Sequence, residues 1–388
     1  MQEPSLSTYA ERPSFPLGPK PLPSARRPRV LAAFSLLFVL FSGPRLFAQS
    51  ADSQSSASSS SDAAQDSSDI KPIPVFQTSA GFLNTSGGGQ TSVHPIITPL
   101  LLVPIGDRWL FETRATFESD LVEQQGIPGF HGVVQKEVEY AQLDFIANPY
   151  LTVTVGRFLT PFGIFNERLY PVWIRNLSSD PLILPIGIGP SNASTGAMLR
   201  GGFKVNSHFD LNYAAYYSAL STVTPVDSSR FAGGRVGIFI PSKRLEIGGS
   251  FQHLLQDDRS NLFGFHFAWQ PLSVPLDLRA ETARSSIGSG YWVESAYRLS
   301  QVPVAQTYLR RTSLVARMQQ FYTSSIPANS LLPANTKMFE FGVNYYFMDG
   351  LRAMSSYGRE FSPQGNGNTW TLAVTYRLVA PLGHGDVQ

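Results

Sequence analysis

Between about Phe76 and Leu378 the sequence repeats one short pattern: apolar residues occupy every second position for roughly ten residues at a time. A clear copy runs from Phe339 to Phe347, and another from Trp370 to Leu378. Because the side chains of a strand point alternately to its two faces, a period of two separates an apolar face from a polar one. Here the apolar face is rich in aromatic residues and the other face carries charges. This combination is typical of a barrel wall with lipid outside and water inside.

The alternation predicts sixteen strands along the chain. They are 75–84, 96–104, 108–118, 137–147, 150–158, 195–205, 208–218, 231–240, 244–254, 260–269, 274–284, 289–299, 312–322, 336–347, 350–360 and 368–378. The second is the weakest of them, since Pro95, Pro99 and Pro104 interrupt it.

The connections between the predicted strands alternate in length. Short links rich in turn-forming residues alternate with the longer segments 119–136, 159–194, 219–230 and 323–335. The link 300–311 departs from this order, because it falls on the short side but has about a dozen residues. A soluble β-sandwich would not be expected to keep the order. The predicted fold class is therefore all-β: a transmembrane antiparallel β-barrel of about 16 strands with short periplasmic turns and long extracellular loops.

The segment before the barrel resembles an export signal. An apolar run from Val30 to Phe41 follows Arg26, Arg27 and Arg29, and it is short for a membrane span. We expect residues 1–48 to be a signal peptide, with a single membrane anchor as the alternative. Residues 49–72 are mostly Ser, Ala, Asp and Gln, so we expect a disordered periplasmic segment there. The barrel is predicted over 73–379, followed by a C-terminal tail over 380–388.

Charge and cysteine content exclude several classes of function. Residues 1–48 hold six of the 30 Lys and Arg residues and two of the 28 Asp and Glu residues, so 24 and 26 remain in the rest of the chain. That balance gives no basis for a nucleic-acid partner. The chain has no Cys, which excludes disulfides and thiolate metal sites. The six His show no metal-ligand spacing, so no metal, no cofactor and no enzymatic activity is expected.

The alternation assigns a set of charged residues to the barrel interior. The predicted pore wall comprises Glu112, Arg114, Asp144, Asp277, Arg279, Glu281, Glu294, Arg298, Arg317 and Arg377, together with Glu118 and Glu340. Both signs occur in similar numbers. These residues either pair with neighbours in a solvated wall or, in part, set the electric field of a pore.

The segment 159–194 is too long for an ordinary connection and too apolar for a loop in water. We expect it to fold into the barrel and line the narrowest level, with Tyr170 and Trp173 packing it against the wall. Its charged residues, predicted to form the pore constriction, are Glu167, Arg168, Arg175 and Asp180. An extracellular lid or a contact between subunits is the alternative.

The sequence Val155-Gly-Arg-Phe-Leu-Thr-Pro-Phe-Gly163 resembles a signature of the phosphate-selective O and P family of outer-membrane porins. Residues 139–145, 290–298 and 342–346 are also similar to that family. The resemblance implies a sixteen-stranded, usually homotrimeric porin whose third loop turns inward. Phosphate selectivity is not expected, because the family's pores carry many Arg and Lys whereas this predicted lumen is mixed in sign and the chain is poor in Lys.

These observations predict a porin in the outer membrane of a Gram-negative-type bacterium. It would contact outer-membrane lipid and pass small hydrophilic solutes or ions passively through a water-filled channel. Two alternatives stay open at this point. One is a barrel with a structural or adhesion role that depends on its long loops, and the other is a lipid enzyme embedded in the membrane.

Overall fold

A computed structural model describes residues 73–87, 90–123, 129–171, 173–183, 192–223, 226–256, 259–286, 288–323, 335–363 and 365–382. In this part the chain forms sixteen antiparallel strands. Their bounds are β1 Val75–Gly87, β2 Gln90–Ile105, β3 Trp109–Glu123, β4 Phe130–Asn148, β5 Leu151–Leu159, β6 Ala193–Lys204, β7 Asp210–Ser218, β8 Phe231–Ile240, β9 Leu245–Leu254, β10 Asn261–Trp269, β11 Leu276–Arg284, β12 Gly288–Arg298, β13 Thr312–Thr323, β14 Lys337–Met348, β15 Leu351–Ser362 and β16 Gly365–Pro381.

The strands close into a barrel in which each pairs with its neighbours in sequence, and β1 pairs with β16. The closing register runs from Val75 opposite Pro381 to Gly87 opposite Thr369. Closure leaves no unpaired sheet edge, which a membrane interior requires. The predicted sixteen-stranded transmembrane barrel is confirmed. We call the end that carries Val75 and Pro381 the terminal end, and the opposite end the loop end.

Strand β2 forms in spite of its prolines, and it is longer than predicted. Pro95 and Pro99 pair with β1 opposite Phe82 and Thr78. On the β3 side the register is interrupted at both prolines. Because proline lacks a backbone N–H, it can satisfy only part of a ladder between two strands. The prolines that weaken the alternation of β2 therefore interrupt its pairing with β3 but not its pairing with β1.

The predicted long connection 119–136 was wrong. Strand β3 continues to Glu123 and β4 begins at Phe130, with Ser119 opposite Val134. Polar residues such as Asp120 and Lys136 obscure the alternation in this region. A ladder that extends past the apolar belt tolerates polar residues on both faces, so the period of two fades before the strand ends.

The predicted long connections 159–194 and 219–230 lie where they were expected, whereas most of 323–335 lies outside the described residues. Residues 160–192 and 219–230, both at the loop end, separate β5 from β6 and β7 from β8. The exceptional link at the terminal end, between β12 and β13, contains two short helical turns, Leu299–Gln301 and Gln306–Leu309. A further turn of this kind, Pro241–Lys243, joins β8 to β9.

The two faces of the wall differ as the alternation predicts. Aromatic residues such as Phe263, Phe341 and Trp370 are 56%, 62% and 59% exposed on the outside. The buried residues face inward, so the core of this protein lies inside its barrel. An apolar belt of this kind places the barrel in the outer membrane.

The predicted segments 1–48 and 49–72 lie outside the described residues. Strand β16 runs to Pro381, two residues into the predicted tail, and residues 383–388 again lie outside the described part. No helix in the described ranges is long and apolar enough to cross a membrane.

Candidate pore and the loop that enters it

The chain turns into the barrel directly after β5, at Thr160-Pro-Phe-Gly163. Gly163 has a φ of +63°, a conformation that residues with a Cβ rarely adopt. Its N–H donates to the Ser250 hydroxyl (3.0 Å), and its carbonyl accepts from Arg235 (3.0 Å). A Cβ at this position would collide with the Glu281 carboxylate. Gly163 therefore directs the chain against the inner faces of β8, β9 and β11.

Glu281 is the first anchor of this segment, which we call the inward loop (residues 160–171 and 173–183). The Glu281 side chain is 3% exposed and accepts from the backbone N–H groups of Ile164 (3.2 Å) and Phe165 (3.1 Å). A single helical turn, Phe165–Leu169, starts here. Since the first N–H groups of a helical turn lack acceptors within it, the carboxylate satisfies two of them. The predicted wall charge at Glu281 thus lies beneath the loop.

A second group of anchors holds the far part of the inward loop against β12 and β14. The Asn176 side chain donates to Glu294 (2.9 Å), and the Asn176 carbonyl accepts from Asn344 (2.9 Å). The Ser179 hydroxyl donates to Glu340. These contacts fix the loop to wall strands more than 100 residues away in sequence.

Arg317 joins these anchors into one network. Its guanidinium donates to Glu340 (2.6 and 2.8 Å) and to the Ser179 carbonyl (2.9 Å), and it lies 3.7 Å from Glu294. Arg317, Glu294 and Glu340 are each at most 5% exposed. Removing one partner from a buried pair typically costs about 3–5 kcal/mol, because the other charge remains buried. The predicted wall residues Glu294 and Arg317 therefore hold the loop in place.

Apolar side chains of the inward loop fill spaces that glycines leave in the wall. Phe162 lies over Gly264, where a Cβ would come within 2.5 Å of the ring. Leu177 lies over Gly342, where a Cβ would come within 2.6 Å. The main apolar cluster combines Phe162, Ile164, Phe165, Leu169 and Ile183 of the loop with Leu262, Ala283, Trp292 and Phe321 of the wall. On this side the lumen is a packed core.

Two of the four predicted constriction residues pair with the wall. The Glu167 carboxylate lies 2.7 Å from the Arg235 guanidinium. Arg168 donates to both oxygens of Glu246, at 2.6 and 2.9 Å. Glu167 and Arg168 also line a cavity in the lumen. Each of these two loop charges is therefore paired with a wall charge of opposite sign.

The other two predicted constriction residues meet inside the loop itself. Arg175 is 8% exposed and donates to the carbonyls of Leu169 (3.2 Å) and Tyr170 (2.7 Å), and to Asp180. Its guanidinium lies 5.2 Å from the centre of the Phe165 ring. Arg175 thus stabilises the fold of the loop, whereas the Asp180 side chain is 52% exposed.

Burial raises the pKa of Tyr170 to about 12, so its hydroxyl stays neutral.

Several predicted wall residues pair along the lumen face. Asp144 lies 2.7 Å from Arg200, and Asp277 lies 2.5 Å from Arg279 on its own strand. Arg298 is exposed at the terminal end. His266, on the inner face of β10, is fully buried. In the described part of the chain no group of three His, Asp or Glu residues could hold a metal ion.

Two cavities lie on either side of the tip of the inward loop. The first, toward the terminal end, measures about 310 Å³. The second, toward the loop end, measures about 230 Å³. The charged residues of the first are Glu112, Arg114, Glu167, Arg168, Arg200 and Arg377. The second is bordered by His94, Glu118, Ser178, Ser179, Glu340 and Thr371, among others.

Most charges of the first cavity have partners. Arg114 pairs with Glu139, in addition to the pairs of Glu167, Arg168 and Arg200. No ion pair or side-chain hydrogen bond joins Glu112 or Arg377 to another described residue. One charge of each sign in this cavity therefore lacks an ion-pair partner among the described residues.

Sequence reasoning missed Arg235 and Glu246, which pair with the loop. Both lie at inward positions of clear alternating segments, between Gly234 and Val236 and between Leu245 and Ile247. The period of two was therefore sufficient to place them in the lumen. Their partners could not be inferred, because they depend on the path of the loop.

The fold resembles those of solved outer-membrane proteins. A loop-deletion form of OmpT, an outer membrane protein of Vibrio cholerae, matches with a TM-score of 0.53 at 11% identity, covering 79% of this chain and 100% of that chain. OmpF of Salmonella typhi in complex with daunomycin matches with 0.54 at 9% identity, covering 79% and 97%. A variant of the Rh. blastica porin matches with 0.50 at 10% identity, covering 79% and 100%.

No protein-family model and no curated protein sequence matches this chain. At identities near 10% the structural likeness establishes the fold alone. The chain has the fold of a closed outer-membrane β-barrel.

Substituting Glu281→Ala is expected to release the inward loop from β11. Leaving two buried N–H groups without an acceptor costs about 1–3 kcal/mol each. Limited trypsin digestion of the folded protein in detergent should then cut after Arg168 or Arg175, where the unmodified protein resists. Asp277→Ala is the matched control, since Asp277 lies on the same face of β11 and pairs with Arg279 only. Equal resistance of the two variants would contradict the anchoring role.

Proposed function

We propose that this protein is a non-catalytic outer-membrane channel for passive passage of small hydrophilic solutes or ions. The observation that supports this most directly is the arrangement of the lumen. A loop anchored to β8–β14 leaves cavities of about 310 and 230 Å³ on either side of its tip. Both cavities are bordered by polar and charged side chains, as in a pathway for hydrated solutes.

The inward loop is proposed to form the constriction. Glu167 and Arg168 face the first cavity and contribute charge there, while Arg175 keeps the loop folded. The Asp180 side chain is exposed, and in sequence it directly follows Ser178 and Ser179, which line the second cavity. In this proposal the pairs with Arg235 and Glu246 set the position of the charged loop face.

We infer weak ion selectivity and do not propose a phosphate channel. Most lumen charges are paired, and the two without partners in the first cavity have opposite signs. The resemblance to the phosphate-selective family rests on the Val155–Gly163 segment, and Gly163 of that segment has a structural role at the loop entry. We therefore propose a relationship to that family but not a shared solute.

A structural or adhesion role is the second candidate. The dense packing of loop side chains against Trp292 and Phe321 is what a barrel without a transport function would also have. Conductance separates the two candidates.

Purified protein in planar lipid bilayers should give stable conductance steps. Deleting residues 164–182 should increase the step size by at least about twofold, because water would replace the loop in a wide lumen. A deletion of 303–308, in the exposed link between β12 and β13, is the control and should leave the steps unchanged. Absence of steps for all three proteins would exclude the channel and favour the structural role.

The reversal potential in a salt gradient should lie near zero for the unmodified protein. Glu112→Gln should shift the preference toward anions and Arg377→Gln toward cations, each by about twofold in permeability ratio. The Asp277→Ala variant, which alters a paired lumen charge, should shift it less. A strongly anion-selective unmodified protein would contradict the inferred charge balance.

We also propose a homotrimer, on the basis of the family resemblance. Chemical cross-linking of the unboiled protein in detergent should give products that end at three copies. A single cross-link product of two copies, or none, would contradict it.

A further inference from the structure

Every strand of the barrel has an inward residue that is almost inaccessible to water. The residues, from β1 to β16, are Ser79, Thr98, Arg114, Asp144, Thr154, Met198, Ala214, Arg235, Ser250, His266, Glu281, Glu294, Arg317, Glu340, Met354 and Thr375, each at most 7% exposed. The inward loop covers the members on β8, β9, β11, β12 and β14, where it forms hydrogen bonds with Arg235, Ser250, Glu281, Glu294 and Glu340. Elsewhere wall side chains cover one another, as Met198 and Ala214 do with Phe158 and Phe231.

The loop meets the opposite wall through Trp173. This residue shares a space of only about 10 Å³ with Ser79, Thr98 and Thr375, on the adjacent strands β1, β2 and β16. Such a space holds a single water molecule at most. All three wall residues are 3% exposed, although they face the lumen. The indole thus covers the β16–β1–β2 wall at the level between the two cavities.

Arg114 contacts the Trp173 indole through a cation–π interaction. Its guanidinium carbon lies 5.4 Å from the centre of the Trp173 ring and 5.1 Å from that of Tyr140. The guanidinium is itself fixed by Glu139, to which Thr116 also donates. A cation over the face of an aromatic ring attracts it without a fixed hydrogen-bond geometry. This contact orients the ring but does not lock it.

The tip that carries Trp173 is attached differently from the rest of the loop. Its backbone forms a turn in which the N–H groups of Ile174 (2.9 Å) and Arg175 (3.3 Å) donate to the Pro171 carbonyl. On either side of this turn the loop is anchored, by Glu281 before it and by Asn176 after it. Rotation of one side chain can therefore open the tip while the anchored parts stay in place.

We propose that Trp173 is an aromatic gate that separates the two cavities and that solutes pass only when its ring leaves the β16–β1–β2 wall. The first cavity, which Trp173 itself lines, provides the space into which the ring moves. This inference rests on the proposed channel function. The structure corresponds to the closed state of the gate, and the barrel conducts in brief openings of that state.

The test is single-channel recording of the unmodified protein beside Trp173→Ala and Trp370→Ala. Trp370 lies on the outer face and is 59% exposed, so it serves as the matched control. The Trp173→Ala variant should show at least about threefold higher mean conductance and longer openings, and Trp173→Phe should restore values close to those of the unmodified protein. Both variants should keep the difference in gel migration between boiled and unboiled samples that a folded barrel gives.

Modification of a single thiol provides an independent readout, because the chain has no Cys. A charged methanethiosulfonate reagent should lower the conductance of Trp173→Cys and leave Trp370→Cys unchanged. If unmodified protein and Trp173→Ala conduct equally, and the thiol reagent has no effect, the gate is excluded while the channel stands. If both are silent and the 164–182 deletion is silent too, the channel function fails, and the gate fails with it.

Discussion

Closure of the backbone ladder between β1 and β16 is the constraint on which the rest of this structure depends. In hydrocarbon each unpaired N–H or C=O costs several kcal/mol, so the first and last strands must meet along their length. Their register pairs Val75 with Pro381 and Gly87 with Thr369. Closing sixteen strands in this way also creates a lumen that wall side chains cannot fill. The interior must therefore hold water or a further piece of chain. In this protein the inward loop fills part of it and leaves cavities of about 310 and 230 Å³.

The inward loop divides the interior into a packed side and a side that contains open cavities. Toward β8–β14 the wall carboxylates Glu281, Glu294 and Glu340 accept hydrogen bonds from the loop, so their charge serves to hold chain. Toward β16–β6 the wall borders the first cavity, where Glu112 and Arg377 point at space instead of at partners. The same alternation of apolar and polar residues thus produces anchors on one side and a solvated surface on the other. What decides between these outcomes is the path of residues 160–183.

The strands were readable from the sequence because a period of two follows directly from strand geometry. It located all sixteen strands. It misplaced strand ends where polar residues occupy both faces, as between Ser119 and Lys136, and where prolines interrupt β2. The inward position of the long loop was also expected, from its length and apolar content. The role of Arg175 was not, since its acceptors are carbonyls of the loop itself. Alternation indicates which face a residue occupies but not what covers that face. It places Glu281 on the lumen face, but it does not indicate that the carboxylate accepts hydrogen bonds from the loop.

The position of the loop is encoded in the wall as well as in the loop. Glycine weakens a strand, so its presence at an inward position indicates that something approaches closely. Gly264 and Gly342 provide the space for Phe162 and Leu177, and there hydrogen bonds from the loop to neighbouring carboxylates reinforce the contact. Gly81 and the small residues Ser79 and Thr375 border the same narrow space as Trp173. The wall therefore contacts the loop on both sides. The contacts are hydrogen bonds on the β8–β14 side and the Trp173 indole on the β16–β1–β2 side. We therefore place the proposed gate at the tip, where an aromatic contact takes the place of the hydrogen bonds that anchor the flanking parts of the loop.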